Sequence, residues 1–177
     1  MGAGPTRNGF TLVELLVGIG IVLMLAGLLL PAIGRARGMA LTANCLGNLR
    51  QLGLAVQMYI NDQTGRLPKL QNRSNTNELV PAIDTVLFPP NFQKATFQCP
   101  ADRRGVFATT GTSYYWNFTV NGQDVFSLFS IVGGADATQI PLISDKEGFH
   151  PDLRDKINVL YVDGHVDKQL QFSTTLH

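Results

Sequence analysis

Acidic residues and histidines that could bind a metal ion or carry protons gather between positions 145 and 167. Carboxylate oxygens and imidazole nitrogens both bind metals in proteins. The set comprises Asp145, Glu147, His150, Asp152, Asp163, His165 and Asp167. Its spacing does not match an EF-hand loop. In the alternative interpretation, which we favour, Asp163-Gly164 is a hairpin turn and the other carboxylates are solvated or cap turns.

A catalytic interpretation of the same region lacks a nucleophile. Ser113, Ser144 and Cys99 stand in no recognisable nucleophile motif, and an activated nucleophile needs a base within hydrogen-bond reach. We therefore expect that the protein is not an enzyme.

The two cysteines, Cys45 and Cys99, are too few for a scaffold built on disulfides. Their spacing is also wrong for a zinc site, which normally has paired ligands two to four residues apart. They pair if the globular part is exported, or they are two separate buried thiols. The sequence leaves both alternatives open, because it does not show whether the two Cα atoms come within disulfide range.

An aromatic cluster at Tyr114, Tyr115, Trp116 and Phe118 could form a platform for a ligand such as a carbohydrate. Alternation along a strand places Tyr115 and Asn117 on one face and the other three aromatic residues on the opposite face. We favour the interpretation that these three are core residues packed against a helix.

The elements that position these residues begin with a long apolar segment. No charged residue occurs from Leu15 to Ile33, and about 20 apolar residues in a helix cross the bilayer core. Helical periodicity continues from Gly38 to Asn61. We therefore predict one helix from about Phe10 to about Asn61, roughly 75 Å long. Pro31 removes a backbone hydrogen bond, which predicts a kink or a locally melted stretch.

Glu14 is the one carboxylate at the start of this apolar segment. It could simply face the positive end of the helix dipole and reach water at the headgroups. Alternatively, it needs a cation from another molecule, because ionisable residues in membranes are costly and usually have a partner.

The sequence after Asn61 predicts a small α+β domain. Gly65 and Pro68 end the helix. Residues 69–90 are polar and irregular, and the stretch "LQNRSNTNEL" within them predicts an exposed loop or a short helix. Four later segments, 94–102, 112–122, 137–145 and 158–172, predict β structure. Asp163-Gly164 predicts a two-residue hairpin loop. The predicted fold is a long N-terminal helix, its first half transmembrane, packed on a small antiparallel sheet.

The stretch "GFTLVELL", with its short polar leader, resembles the signature of type IV prepilins. The resemblance implies a leader of residues 1–9, cleaved between Gly9 and Phe10, with N-methylation of Phe10. It implies that Glu14 attracts the new amine of a neighbouring subunit during assembly. It also implies that the helix can melt around Pro31 in a filament.

The rest of the chain resembles bacterial prepilin-like proteins whose C-terminal part is named for a histidine, nine intervening residues and Asp-Gly. Here twelve residues separate His150 from Asp163, with "PDLRDK" as the apparent insertion. The chain is also similar to major pseudopilins, which bind calcium through an aspartate-rich loop near the C terminus. This similarity implies calcium as the metal of loop 145–155, although we expect no cofactor.

Together these resemblances imply a filament subunit with segments 1–9 (leader), 10–33 (transmembrane and assembly), 34–61 (soluble helix) and 62–177 (globular domain). A net charge of +1 gives no basic surplus for nucleic acid. The resemblance implies a protein of the bacterial inner membrane that crosses it once, with the globular domain on the periplasmic side. It also implies prepilin peptidase, other subunits, membrane lipid and an inner-membrane platform as partners. We favour a type II secretion pseudopilin, because the domain is short and no C-terminal cysteine pair bounds a loop. The alternatives are a type IV pilus subunit and an anchored binding module that does not polymerise.

Overall fold

The computed structural model describes residues 11–88, 92–131, 139–151, 153 and 155–170, with side chains omitted at 129–131. Its chain divides into two compact units, Met1–Arg37 and Gly38–His177. The predicted α+β fold class is confirmed, since a long N-terminal helix is followed by a small antiparallel sheet.

Helix α1 spans Leu12–Asp62 and contributes to both units. In the N-terminal unit the described side chains are exposed except for a half-buried Ala26. By length and composition α1 could cross a membrane, and the apolar window that meets this test has no buried residue. The backbone is helical throughout, including Pro31, so the predicted melted stretch at this proline is absent from the structure.

The second half of α1 supplies one wall of the hydrophobic core of the C-terminal unit. Its buried positions recur every three or four residues, as one face of a helix requires; they are Thr42, Cys45, Leu46, Leu49, Leu52, Gly53, Ala55, Val56 and Ile60. A Cβ on Gly53 would lie 3.1 Å from Leu160 Cδ1. The absence of a side chain at Gly53 therefore lets α1 approach the sheet closely.

The sheet is an antiparallel meander in the order β1-β2-β3-β4. Its strands are β1 (Tyr114–Trp116), β2 (Pro141–Asp145), β3 (Val159–Tyr161) and β4 (Val166–Asp167). Tyr115 is opposite Ser144, and Ser144 is opposite Val159. All three residues of β3 are buried, which places this strand at the centre of the core.

The β3–β4 hairpin has a different loop from the predicted one. Tyr161 N donates to His165 O at 2.9 Å, and Gly164 N donates to Tyr161 O at 2.9 Å. The loop therefore has three residues, 162–164, with Gly164 at φ +92°. A three-residue loop of this kind combines a turn with a residue of positive φ, which glycine adopts without strain.

Short helices occupy the stretches between α1 and β1 and between β1 and β2. They are α2 (Ile83–Val86), α3 (Val106–Thr110), α4 (Val125–Ile131) and two 3₁₀ helices, Lys94–Phe97 and Phe118–Val120. The prediction of β structure across Lys94–Phe97 was therefore wrong. The first 3₁₀ helix buries Thr96 and Phe97 against the core, so tertiary packing overrides the strand preference of these residues.

The aromatic cluster divides largely as its alternation predicts. Tyr114 and Trp116 are fully buried core residues, whereas Tyr115 is exposed. Phe118 is exposed, contrary to the prediction, because β1 ends at Trp116 and the chain turns into the 3₁₀ helix, where strand alternation no longer applies.

Candidate functional site

Glu14 and Thr11 form a capping box at the start of α1. Glu14 Oε2 accepts hydrogen bonds from Thr11 N at 2.9 Å and Thr11 Oγ1 at 2.8 Å, and Glu14 N donates to Thr11 Oγ1 at 3.3 Å. These contacts satisfy backbone groups that a helix N terminus otherwise leaves unpaired. Glu14 is exposed, so its carboxylate is accessible to another chain.

The proposed processing residues, Gly9 and Phe10, lie outside the described residues. The role of Glu14 in assembly stays a prediction, and the capping box gives this residue a structural role of its own. An assembly test must separate the charge of Glu14 from its hydrogen bonds to Thr11.

A second cluster of polar side chains is buried in the C-terminal unit around His150, which is 2 % exposed. His150 Nδ1 lies 3.1 Å from Thr42 Oγ1 on α1. On the other side of the ring, His150 Nε2 lies 3.4 Å from Cys99 Sγ and 3.4 Å from Asp145 Oδ2. The imidazole therefore connects α1, the segment after the first 3₁₀ helix, and β2.

Asp145 is the carboxylate of this cluster and is 4 % exposed. Its Oδ2 accepts hydrogen bonds from Asn158 N at 2.7 Å and Asn158 Nδ2 at 3.0 Å. Among the described residues, its Oδ1 has no hydrogen-bond partner. Burial raises the pKa of Asp145 to about 7, and the hydrogen bonds from Asn158 oppose this shift.

The two cysteines meet beside His150. They form a disulfide with an S–S distance of 2.10 Å and a Cα–Cα distance of 5.2 Å, which links α1 to the segment after the first 3₁₀ helix. Both cysteines are fully buried. The fold thus brings together three residues, Cys45, Cys99 and His150, that are far apart in the sequence.

The backbone of His150 closes a loop before β3. His150 N donates to Lys156 O at 3.1 Å and so closes the loop of intervening residues at its base. Asp145 N donates to Asn158 O at 3.1 Å, where the end of β2 pairs with the residue before β3.

The other predicted metal ligands have different partners. Glu147 Oε2 accepts a hydrogen bond from Arg104 Nη1 at 2.7 Å on the surface. Asp163 Oδ1 lies 2.6 Å from His165 Nδ1, and the His165 ring stacks on Tyr161. Asp152 lies outside the described residues. Among the described members of the set, the structure brings two pairs into contact, Asp145 with His150 and Asp163 with His165.

The sequence analysis missed two residues of this cluster, Thr42 and Asn158. Thr42 lies on the apolar face of α1, one turn before Cys45, and a polar residue on such a face indicates a buried partner. Asn158 directly precedes β3 and carried no comparable signal. The sequence left the state of the two cysteines open, and the fold joins them in a disulfide beside a histidine from a distant segment.

A separate polar cluster surrounds Lys146. Its Nζ donates to Thr110 Oγ1 at 2.7 Å, and burial, followed by the nearby Arg73 charge, lowers the pKa of Lys146 to about 8. Arg73 forms an ion pair with Asp84. A Cβ on Gly111 would come within 2.7 Å of both partners, so this glycine leaves space for the pair. The cluster is structural, since it joins the irregular segment containing Arg73 to α2 and to the residue after β2.

Comparison with known protein families finds that residues 5–30 match the prokaryotic N-terminal methylation motif. The matched range contains Gly9, Phe10 and Glu14 and ends before Pro31. No curated protein and no solved structure matches the chain. The C-terminal resemblance drawn from His150 and Asp163 therefore stays a prediction.

Proposed function

We propose, from the match of residues 5–30 to the prokaryotic N-terminal methylation motif, that the chain is a type IV prepilin-like protein and, more specifically, a type II secretion pseudopilin. In this role a prepilin peptidase removes residues 1–9, and the exposed apolar part of α1 packs among the helices of other subunits. The globular unit faces the periplasm, and an inner-membrane platform drives assembly. The protein performs no chemistry of its own.

The observation that carries this proposal is the match over residues 5–30, because it joins the leader, Glu14 and the apolar run in one motif. Two structural features support it. The apolar part of α1 has no buried residue within the chain, as expected of a surface that lipid or neighbouring helices cover. The exposed Glu14 carboxylate lies at the start of this surface.

A pilus subunit is the alternative. We favour the pseudopilin because Cys45 and Cys99 join α1 to the segment after the first 3₁₀ helix, whereas many adhesive pilins have a cysteine pair that bounds a C-terminal loop. Deletion of the gene in its host separates the two roles. A pseudopilin deletion abolishes export of proteins to the medium and leaves surface pili in place, whereas a pilus-subunit deletion has the reverse effect.

Assembly is tested with three variants expressed beside the wild-type chain. Glu14→Gln retains an oxygen that can accept from Thr11 and so keeps the capping box, but removes the charge. Glu14→Ala removes both. Thr11→Val removes the capping hydroxyl and keeps the charge. We expect all three to be processed, and only Thr11→Val to enter filaments, because assembly requires a carboxylate that pairs with a subunit amine.

Cross-linking of isolated filaments followed by immunoblotting measures incorporation. Normal incorporation of Glu14→Gln with exclusion of Thr11→Val would make Glu14 a helix-capping residue and contradict the proposed charge pairing. An anchored binding module would form no cross-linked filament with any chain, and a ligand would raise its melting temperature.

A further inference from the structure

A groove in the C-terminal unit lies beside the last turn of α1 and has a volume of about 480 Å³. It is also lined by the chain that follows α1, by α2 and by the turn after the second 3₁₀ helix. Two of its lining residues are basic, Arg66 and Lys69, and of the described residues that line it none is acidic. The groove therefore has a net positive charge.

Gly122 brings the two basic side chains together. A Cβ on Gly122 would lie 2.7 Å from Lys69 Cε, so the stem of this lysine crosses the space that a side chain would fill. Arg66 Nη1 donates to Gly122 O at 3.4 Å. Gly122 also has φ +67°, which glycine adopts without strain. Both its backbone conformation and its missing side chain therefore hold the two cations at one place.

Neither cation has a carboxylate partner among the described residues, where every ion pair involves other basic side chains. Asp124 is the acidic residue whose backbone pairs with Arg66. Its Oδ1, however, accepts from Phe126 N at 2.8 Å and Ser127 N at 3.2 Å at the start of α4. Two like charges held against one residue repel each other, and an anion bound between them removes this repulsion.

Two hydroxyl groups add neutral donors to the same groove. They belong to Tyr59 and Thr64, and neither forms a hydrogen bond within the described part of the chain. Thr64 has φ +54°, an uncommon conformation for a residue with a side chain. Strained residues of this kind cluster at ligand sites. The groove thus offers two cations and two hydroxyl donors to one ligand.

The remaining wall of the groove is apolar. Val86 of α2 is half-buried, and Pro81, just before this helix, is exposed. Ligand sites typically combine an apolar surface with a few polar groups that fix the orientation of the ligand. An apolar wall beside two cations suits an anion that carries an apolar body better than it suits a bare ion.

We propose that this groove binds a phosphate monoester with an apolar body. A phosphate monoester carries close to two negative charges at neutral pH and has three strong acceptor oxygens. These match two cations and two hydroxyl donors more fully than a single carboxylate does. The apolar body of the ester packs on Pro81 and Val86. This site goes beyond the filament role, since it needs neither cleavage after Gly9 nor assembly.

The end of α1 offers a rival explanation for the two cations, because basic side chains near a helix C terminus stabilise the helix dipole. In that case they contribute to stability and bind no ligand. Two carbonyls at this end are already paired, since Tyr59 O accepts from Gln63 N and Ile60 O accepts from Gly65 N, both at 2.9 Å. A titration with an anion separates the two explanations.

The test titrates the full chain in maltoside micelles with phenyl phosphate, and phosphorus NMR follows the ligand. We expect a dissociation constant of about 1 mM or lower. Inorganic phosphate lacks the apolar body and is expected to bind more weakly. Benzoate has the ring but only one charge, so we expect it to displace phenyl phosphate poorly. Added salt should weaken binding, because the two cations are exposed and are screened.

Variants assign the residues. We expect Arg66→Gln and Lys69→Gln each to weaken phenyl phosphate binding at least about tenfold, and Tyr59→Phe to weaken it about fivefold. Lys94→Gln removes the same charge from an exposed lysine outside the groove and is the matched control. We expect its affinity to stay within about twofold of wild type. Thermal unfolding of each variant verifies that binding is measured on folded protein.

Three outcomes would overturn the proposal. The first is no binding of phenyl phosphate at about 10 mM, and loss of stability in Arg66→Gln and Lys69→Gln would then assign the cations to the helix dipole. The second is equal weakening by Lys69→Gln and Lys94→Gln, because overall charge would then explain the binding. The third is inorganic phosphate that binds as tightly as phenyl phosphate, which would show that no apolar body is recognised.

Discussion

Asn72 pairs with both backbone polar groups of Trp116. Its Nδ2 donates to Trp116 O at 2.8 Å, and its Oδ1 accepts from Trp116 N at 2.8 Å. Tyr115, the residue between Tyr114 and Trp116, is opposite Ser144 of β2, so the Trp116 groups point to the open edge of the sheet. One side chain thus takes the place of a neighbouring strand and covers an edge that could otherwise pair with another chain.

Replacing Asn72 with alanine should uncover this edge. We expect the Asn72→Ala variant to lose about 1–3 kcal/mol of unfolding free energy, because two partly buried hydrogen bonds to the backbone of Trp116 are lost. Urea unfolding followed by Trp116 fluorescence measures the change. In Asn72→Asp the acceptor for Trp116 N remains and the donor is lost, so an intermediate value is expected. Equal stability of all three proteins would contradict the role given to Asn72.

Two glycines of α1 should respond to substitution in opposite directions. Gly53→Val places a branched side chain against Leu160, where a Cβ alone would be 3.1 Å from Cδ1, and overpacking of this kind costs about 1–3 kcal/mol. At Gly47 a Cβ meets nothing within 4 Å. Gly47→Ala should therefore stabilise the domain by up to about 1 kcal/mol through helix propensity. Thermal unfolding of both variants measures these changes. If both substitutions destabilise the domain, the claim that Gly53 is closely packed and Gly47 is not would be contradicted.

The Cys45–Cys99 disulfide should stabilise the domain by constraining its unfolded state. The two cysteines are separated by 54 positions, and closing a loop of this length is worth about 4 kcal/mol in the chain-entropy model. In metal-free buffer, we expect reduction of the wild-type chain to lower its unfolding free energy by about 2–5 kcal/mol. The Cys45→Ala/Cys99→Ala variant should be insensitive to the reductant. A reductant effect of equal size in that variant would contradict this explanation.

Asp102 should make stability depend on pH at the acid end. Partial burial acts to raise its pKa, but hydrogen bonds from Phe107 N, Ser113 Oγ and Val106 N together lower it below the usual value. The ionised form is therefore favoured in the folded chain. The contribution of ionised Asp102 to the free energy of unfolding is complete above the pKa of the unfolded state, about 3.9. It disappears as the pH falls through the lower pKa of the folded state.

Asp102→Asn should accordingly cost about 1 kcal/mol at pH 7, because charge-assisted hydrogen bonds to the first turn of α3 are weakened. We expect the difference from wild type to shrink as the pH is lowered below 4, measured by urea titration at a series of pH values. Ser113→Ala retains the carboxylate and serves as the control. A difference that is constant across the series would show that Asp102 acts without its charge.

The long helix and the sheet were the parts of the fold that the sequence predicted best. Periodic apolar residues set the limits of α1 to within two residues at the N terminus and one at the C terminus, because the pattern extends over many turns. Short segments were harder to predict. Lys94–Phe97 and Phe118 took other conformations because the packing of Phe97 and the end of β1 at Trp116 decide them, and neither is visible in local propensity.

The buried cluster was predicted only in pieces. Cys45, Cys99, His150 and Asp145 were each named, but for separate reasons and for different sites. Their contact depends on α1 packing across the sheet and on the loop closed by His150 N and Lys156 O. Such long-range contacts between segments have no signature in spacing, so Thr42 and Asn158, which only support the cluster, were not found.

The central claim, that the chain is a processed filament subunit, depends on the peptide bond between Gly9 and Phe10. An intact-mass measurement and an N-terminal peptide spectrum of the protein extracted from membranes of its own host test this bond directly. We predict a chain that begins at Phe10 and carries one added methyl group on its amine. A chain that still contains residues 1–9, or one cut after the apolar run, would contradict the account and leave Glu14 only its capping role at the start of α1.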